Sequence, residues 1–191
     1  MPHILVIVSV PEVEPYVASL RERFDRSARR GLGAHVTLLH APLPADGIDA
    51  ATIAAVAEAA SGVAPFHYAV TGLAHFPGTI YLAVDPWEPF NELHTRLRPQ
   101  PACPGSSPRE FIPHISVMRA PRRAGPEPVG ADAAIDALPV AEAGLIPLLD
   151  AAPLQCECRE IVLLEDSTGR WRPLQSVALS GGRGNPSRAP S

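Results

Sequence analysis

The sequence HVTL at residues 35–38 returns as HISV at residues 114–117, so the order histidine, apolar, hydroxyl, apolar occurs once in each half of the chain. We call these segments the first motif and the second motif. Residues two apart in a β-strand point to the same face of a sheet. Each motif therefore predicts a strand with an imidazole and a hydroxyl on one face and two aliphatic side chains on the other.

Chance explains one such motif more easily than two. The chain has 46% hydrophobic residues and 7 histidines, and a given histidine begins this pattern about one time in fifty. A single motif therefore indicates an ordinary strand with a half-buried histidine. Two motifs in matching surroundings favour a shared functional role.

The residues before the first motif predict a strand and a helix. Residues 4–8 are a continuous apolar run that is typical of a buried strand. A helix follows, and Gly31 and Gly33 end it before the motif. Its apolar stripe comprises Val13, Tyr16, Val17, Leu20 and Phe24.

The second motif has the same surroundings. Residues 80–84 predict a strand, and Asp85, Pro86 and Glu88 predict the N-cap, the first position and the capping-box glutamate of a helix. The apolar stripe of this helix comprises Phe90, Leu93, His94 and Leu97, and Pro99 ends it. One strand–helix–strand unit thus occurs twice, each time ending in a motif.

This duplication predicts an α+β fold of two lobes related by an approximate two-fold axis. We expect two mainly antiparallel sheets that face a central cleft lined by the motifs, with helices packed on their outer sides. Residues 49–60 predict a further helix, which begins at Asp49 and ends before Gly62.

The rest of the chain is expected to complete one unit. Residues 1–180 are predicted to form a single bilobal domain, and residues 181–191 a flexible tail. Residues 120–129 predict a proline-rich surface loop, and residues 131–150 predict one more helix.

At these motifs the sequence resembles the 2H phosphoesterase superfamily, and within it the bacterial RNA 2′,3′-cyclic phosphodiesterase and 2′-5′ RNA ligase-like proteins. The signature of that family is two His-x-Thr/Ser-x motifs. Ser116 is a mild departure from threonine, because its hydroxyl can donate the same hydrogen bond. The resemblance extends over about residues 3–180. Its further support comes from residues 76–77, 81–82, 111–113, Arg119, residues 160–164, Trp171 and residues 177–179.

The resemblance implies a metal-independent phosphodiesterase that opens 2′,3′-cyclic phosphates of RNA ends or small nucleotides, with reversible 2′-5′ RNA ligation as a further reaction. His35 and His114 suit general acid and base catalysis, since an ordinary imidazole pKa of about 6.5 allows one to be neutral and one charged near pH 7. Thr37 and Ser116 would donate hydrogen bonds to the non-bridging oxygens of the phosphate. No cofactor is implied.

The order of the two histidines is set only by the resemblance. Bacterial members of the family leave a 2′-phosphate, which implies that His35 protonates the 3′ oxygen and His114 is the base. The repeated motifs leave the opposite order open, and the reverse reaction exchanges the two roles.

Two other classes of function remain open. A binding module for RNA ends or nucleotides would hold the phosphate with the same residues but without turnover. A metal-dependent hydrolase would use His35, His40 or His75 as ligands. His40 is five positions after His35, which places it on the opposite face of a regular strand and disfavours this metal site.

Three further residues are candidates for substrate binding. Arg119 is at an odd separation from His114, so it should point away from the site, although at the end of the strand it could curl back to a phosphate. Tyr81 and Phe76 could stack on a base or pack in the core. For His67, His75 and His94 we predict partly buried positions with structural roles.

The net charge and the first apolar run indicate which partners and which cell compartment to expect. A formal net charge of -4 argues against long duplex nucleic acid and favours RNA termini or small cyclic-phosphate nucleotides. The first apolar run is too short for a membrane span and lacks a basic leader, so a cytoplasmic monomer without membrane attachment is expected. Free thiols are predicted for Cys103, Cys156 and Cys158.

Overall fold

The computed structural model describes residues 2–98, 111–119 and 152–181. Within this part of the chain, no helix is both long and apolar enough to span a membrane. Four sequence predictions lie outside the described residues: the loop at residues 120–129, the helix at residues 131–150, the tail from residue 182 onwards and the free thiol of Cys103.

The described residues form one eight-stranded antiparallel sheet with four α-helices. The strands are β1 (His3–Ser9), β2 (His35–Pro42), β3 (Phe66–Phe76), β4 (Thr79–Asp85), β5 (His114–Arg119), β6 (Leu154–Cys158), β7 (Glu160–Glu165) and β8 (Arg172–Ala178). The helices are α1 (Glu14–Phe24), α2 (Arg26–Arg29), α3 (Ala50–Ser61) and α4 (Glu88–Leu97), and a short 3-10 helix (Pro11–Val13) precedes α1.

The predicted α+β class and the repeated strand–helix–strand unit are present, as β1-α1-β2 and as β4-α4-β5. The predicted pair of separate sheets is wrong, because the strand order β6-β3-β4-β5-β2-β1-β7-β8 is continuous. The two motif strands, β5 and β2, meet in the middle of this order. Their ladder contains a single residue pair, Val36 with Ile115.

The core lies on the face of the sheet that the helices cover. Val36 and Ile115 are fully buried there, together with Phe90 of α4 and Val17 of α1. Helix α1 packs against β5 and helix α4 packs against β2, so each repeat covers the motif strand of the other. Full burial of one such side chain contributes about 1.5–3 kcal/mol.

The opposite face, which we call the open face, carries a smaller apolar cluster. It comprises Leu5, Ile7, Leu32 and Leu164, with Trp171 packed against it. Strand alternation produces this division, because Leu5 and Ile7 of β1 lie in this cluster and Val6 and Val8 lie in the core.

One helix boundary follows the sequence signals and another departs from them. Helix α3 lies where residues 49–60 predict a helix, and the carboxylate of its N-cap, Asp49, accepts a hydrogen bond from Thr52 N at 2.8 Å. The predicted cap at Asp85 is wrong, because this residue ends β4 and pairs with Ala69, and α4 begins at Glu88.

The buried stripe of α1 also differs from the predicted one. Tyr16 is 43% exposed, whereas Arg21 is fully buried. Arg21 falls four residues after Val17 and therefore occupies the same face of the helix. A charged residue at that spacing signals a polar network behind the sheet.

Candidate active site

The two motif strands bring all four predicted catalytic residues together at the centre of the open face. Val36 and Ile115 are paired and point into the core. Continuing that antiparallel register by one residue on each side places each histidine beside the hydroxyl residue of the other motif. We call this group the rectangle, and it comprises His35, Ser116, Thr37 and His114.

The rectangle sets the two imidazoles at opposite corners. Directly opposed Cβ atoms in such a pair are about 5 Å apart, and diagonal ones are about 7 Å apart. A group of phosphate size placed at the centre would therefore have an imidazole on each of two opposite sides and a hydroxyl on each of the other two.

Both imidazoles are oriented in the same way. His35 Nδ1 lies 2.7 Å from the carbonyl oxygen of Gly33, and His114 Nδ1 lies 2.7 Å from that of Ile112. A carbonyl oxygen can only accept, so Nδ1 is the donor in each ring. Nε2 is then the nitrogen left for proton transfer at both corners.

Burial disfavours the charged form of both rings. His35 is 6% exposed, and its burial lowers its pKa from 6.5 to about 4, against the opposing effect of the bond to Gly33. Burial also lowers the pKa of His114, and the charge of Arg119 acts in the same direction on both rings. Both imidazoles are therefore neutral at pH 7 before an anion binds.

Each motif strand contains a β-bulge at the residue that follows its hydroxyl. The extra residue is Leu38 in β2 and Val117 in β5. An extra residue reverses the alternation of the side chains that follow it. Residues at an odd distance from each histidine therefore return to the open face.

Arg119 illustrates this effect. Its pairing partner, Thr79, lies on the same face of β4 as Ala83, the partner of His114. The guanidinium donates from Nε and Nη2 to Ser116 Oγ at 3.1 and 2.9 Å. The prediction that Arg119 points away is wrong, because the bulge at Val117 returns it to the open face beside Ser116. Its role as a phosphate ligand stays a prediction.

His40 is on the open face for the same reason, so its predicted place on the opposite face is wrong. It pairs with Leu5, whose side chain belongs to the open-face cluster, and its ring contacts that of His3 at 4.9 Å. In the part of the chain that the structure describes, no three His, Cys, Asp or Glu residues are grouped closely enough to hold a metal ion.

Aromatic side chains surround His114. Tyr81, which pairs with Ser116, is 9% exposed and stacks on Phe76 with ring centroids 4.2 Å apart. Both rings lie 5.2 Å from the His114 imidazole. These aromatics therefore pack against each other and also border the rectangle, on the second-motif side.

The other histidines and the thiols are outside the rectangle. His67 is exposed and lies 3.9 Å from Glu157. His75 is also exposed, so its predicted burial and that of His67 are wrong. Cys156 and Cys158 are free and buried as predicted, and burial raises their pKa values to about 11 and about 12.

His94 has a structural role that touches both motifs. Its Nδ1 donates to the carbonyl oxygen of Leu38 at 2.6 Å, and its ring stacks on Phe111 at 4.1 Å. Leu38 is the bulge of the first motif, and Phe111 begins the segment that leads into the second. The predicted structural role is confirmed, but its target was not visible in the sequence.

A buried polar network behind the first motif was missed from the sequence. Arg21 donates to Asp25 at 3.1 Å and to the carbonyl oxygen of Leu32 at 2.9 Å. The charge of Arg21 lowers the pKa of His35, and that of Asp25 raises it. The signal that could have revealed this network is Arg21 on the apolar stripe of α1, four residues before an aspartate.

With this geometry described, comparison with known families is decisive. A family model for the 2′-5′ RNA ligase superfamily matches residues 9–170. The chain belongs to this superfamily. The resemblance stated from the two motifs is thereby confirmed.

Solved structures support the same fold. E. coli LigT complexed with 3′-AMP is 20% identical, with a TM-score of 0.56, over 94% of this chain and 99% of that one. TT0787 of Thermus thermophilus is 19% identical, with a TM-score of 0.57, over 95% and 100% of the two chains. No curated protein matches the chain.

Proposed function

We propose that this protein is a metal-independent phosphodiesterase that opens 2′,3′-cyclic phosphates of RNA ends or small nucleotides. The observation that carries the proposal is the diagonal placement of His35 and His114, each with Nδ1 bound to a backbone carbonyl. General acid–base catalysis at phosphorus needs one proton acceptor and one donor on opposite sides of the phosphate. The superfamily and the nucleotide complexes of LigT support this choice of substrate.

In the proposed reaction, His114 Nε2 removes a proton from a water molecule as its oxygen forms a bond to phosphorus. The bond from phosphorus to the 3′ oxygen breaks, and His35 Nε2 donates a proton to that oxygen. The product is a 2′-phosphate, and one proton has passed from His35 to the product and another from water to His114. The opposite order of roles gives a 3′-phosphate by the same geometry.

One imidazole must become positively charged for this reaction, and substrate binding favours that charge. Both imidazoles are neutral without ligand, because burial lowers their pKa values. The phosphodiester anion favours a positively charged partner at its side, so its binding raises the pKa of the nearby imidazoles. Substrate binding and protonation of one ring are therefore coupled.

Hydroxyl and guanidinium groups would stabilise the charge that develops on the phosphate. Ser116 Oγ accepts from Arg119, which leaves its own proton for a non-bridging oxygen, and Thr37 supplies the matching donor at the opposite corner. Phe76 and Tyr81 would place a base on the second-motif side, where a stack on an aromatic ring contributes about 1–3 kcal/mol.

The test is turnover of a 2′,3′-cyclic nucleotide in metal-free buffer with EDTA, with identification of the product. We expect His35→Ala and His114→Ala each to lower kcat by about 10²- to 10⁴-fold, the range for loss of one acid or base. His67→Ala is the matched control, because His67 is exposed on β3.

Each alternative function gives a different result. A binding module would bind the cyclic nucleotide as tightly as a phosphodiesterase would, but it would release no product. A metal-dependent hydrolase would lose its activity with EDTA. Near wild-type turnover in either motif variant would contradict the two-histidine mechanism.

A further inference from the structure

Both motif histidines donate from Nδ1 to a backbone carbonyl, but the two peptide groups that contain these carbonyls differ in their own hydrogen bonds. Glu14 Oε2 accepts a hydrogen bond from the backbone N–H of Ala34 at 2.6 Å. That N–H belongs to the same peptide group as the Gly33 carbonyl, which accepts from His35 Nδ1 at 2.7 Å. Carboxylate, peptide and imidazole therefore form one continuous chain of hydrogen bonds.

The second motif cannot form this chain. His114 Nδ1 donates to the Ile112 carbonyl, and the nitrogen of that peptide group belongs to Pro113. Proline has no N–H, so no acceptor can be placed behind this peptide. Residue 34 and residue 113 are equivalent in the two repeats, and the difference between alanine and proline makes the histidines unequal.

Hydrogen bonds in series polarise one another. A negative charge that accepts from the N–H end of a peptide increases the negative charge on its carbonyl oxygen. That oxygen then binds a positively charged imidazolium more strongly than a neutral imidazole. The direction of the effect is therefore to stabilise the charged form of His35.

We propose that Glu14 is a positioning residue for His35: it holds the Gly33–Ala34 peptide whose carbonyl accepts from His35 Nδ1, and it favours the proton on His35 in the complex with substrate. This inference rests on the proposed function where it assigns His35 as the acid, but the hydrogen-bond chain exists without any substrate. It supplies the reason for an order of roles that the repeated motifs leave open.

Other charged groups also act on His35, and their effect on its titration must be distinguished from that of Glu14. Arg21 and Asp25 lie behind the ring, and Arg119 and His114 lie on the neighbouring strand. Glu14 also lies 3.5 Å from Arg21. A substitution at Glu14 that keeps the shape of the side chain is therefore the informative one.

The test compares Glu14→Gln with Glu22→Gln, which removes the same charge from an exposed position of α1. The probe is inorganic phosphate, and the measurement is the ¹⁵N NMR titration and tautomer of both motif histidines. With phosphate bound, we expect His35 in Glu14→Gln to titrate at lower pH than in the wild type, with Nδ1 still the donor and His114 unchanged.

Kinetics provide a second measurement. We expect kcat of Glu14→Gln to fall about 10-fold with little change in KM, the lower end of the range for residues that orient a metal-binding histidine through its second ring nitrogen. An unchanged titration of His35 in Glu14→Gln, or a shift of His35 in Glu22→Gln as large as the one in Glu14→Gln, would overturn the proposal. The NMR result does not depend on turnover, so it is distinct from a failure of the proposed phosphodiesterase activity.

Discussion

His35 is an imidazole at the centre of a sheet, and its environment opposes the charge that its proposed role requires. Burial lowers its pKa to about 4, and the same cause lowers the pKa of His114. The sequence alone suggested ordinary values near 6.5 for both rings. The structure therefore moves the expected pH dependence of the proposed reaction to the acid side.

We expect kcat/KM for a 2′,3′-cyclic nucleotide to be bell-shaped with its maximum below pH 6.5, because this parameter reports the free enzyme, in which both pKa values are lowered from 6.5. The kcat profile should have its maximum at higher pH, since the bound anion raises both values. Initial rates from pH 4.5 to 9 in metal-free buffer test this. A kcat/KM that rises steadily to pH 9 contradicts it.

At this scale the sequence predicted which four side chains lie together on the open face, but not the residues that support them. The pairs His35/Thr37 and His114/Ser116 recur in one pattern, so the sequence itself contains the evidence for them. Glu14 accepts a hydrogen bond from the N–H of Ala34, which lies 20 positions later in the sequence. No local pattern records a contact of that kind, because it depends on where α1 is packed.

Among the elements, the two bulged strands decide which side chains reach the open face. Alternation predicted both His40 and Arg119 on the wrong face, because each lies beyond a bulge. The signal was present as consecutive apolar residues, 38–39 and 117–118, which interrupt strict alternation. Alternation alone cannot show whether such a pair is a bulge or a strand buried on both faces.

Helix α4 supports the bulge of the first motif through His94. We expect His94→Ala to lower the free energy of unfolding by about 1–3 kcal/mol, because the Leu38 carbonyl loses its donor in a half-buried place. The variant should also lower kcat, since His94 contacts the segment before the second motif as well. Urea unfolding and the cyclic nucleotide assay measure the two effects.

Thr95→Ala is the control for this prediction, because Thr95 is the exposed neighbour of His94 on the same helix. We expect its unfolding free energy to change by less than about 0.5 kcal/mol. An equal loss of stability in the two variants would mean that the effect comes from helix propensity and not from the contact with Leu38.

For the whole molecule, local periodicity predicted the class and the repeated units but not the number of sheets. Whether two motif strands pair is decided by packing, and here one ladder pair, Val36 with Ile115, joins the halves. The sequence offers no separate signal for a single cross-strand pair. The prediction of two sheets is therefore wrong at the junction of β2 and β5, where the two motifs meet.

The buried imidazole also makes the stability of the whole fold depend on pH. A pKa lowered from 6.5 to about 4 means that the unfolded chain binds more protons in this interval, so stability is complete above pH 6.5 and declines as pH falls towards 4. The full loss attributable to His35 is about 3 kcal/mol. Urea unfolding between pH 7.5 and 5 measures the upper part of this decline.

His35→Phe provides the comparison, because it removes the titrating group and keeps a ring of similar size. Its unfolding free energy should depend less on pH across that interval than that of the wild type. Glu165 does not obscure the result, since its bonds with Ser167 and Arg172 lower its pKa to about 2 and its effect falls in a more acidic interval. An identical pH dependence in wild type and variant would contradict the prediction.

The crossed packing of the helices determines how the chain can acquire its structure. Since α1 covers β5 and α4 covers β2, neither repeat can bury its own motif strand. A fragment that contained one repeat would expose the apolar face that the other repeat covers, so the duplicated units are not independent folding units. We therefore expect one cooperative unfolding transition, in which the four motif residues and the core that supports them lose their structure together.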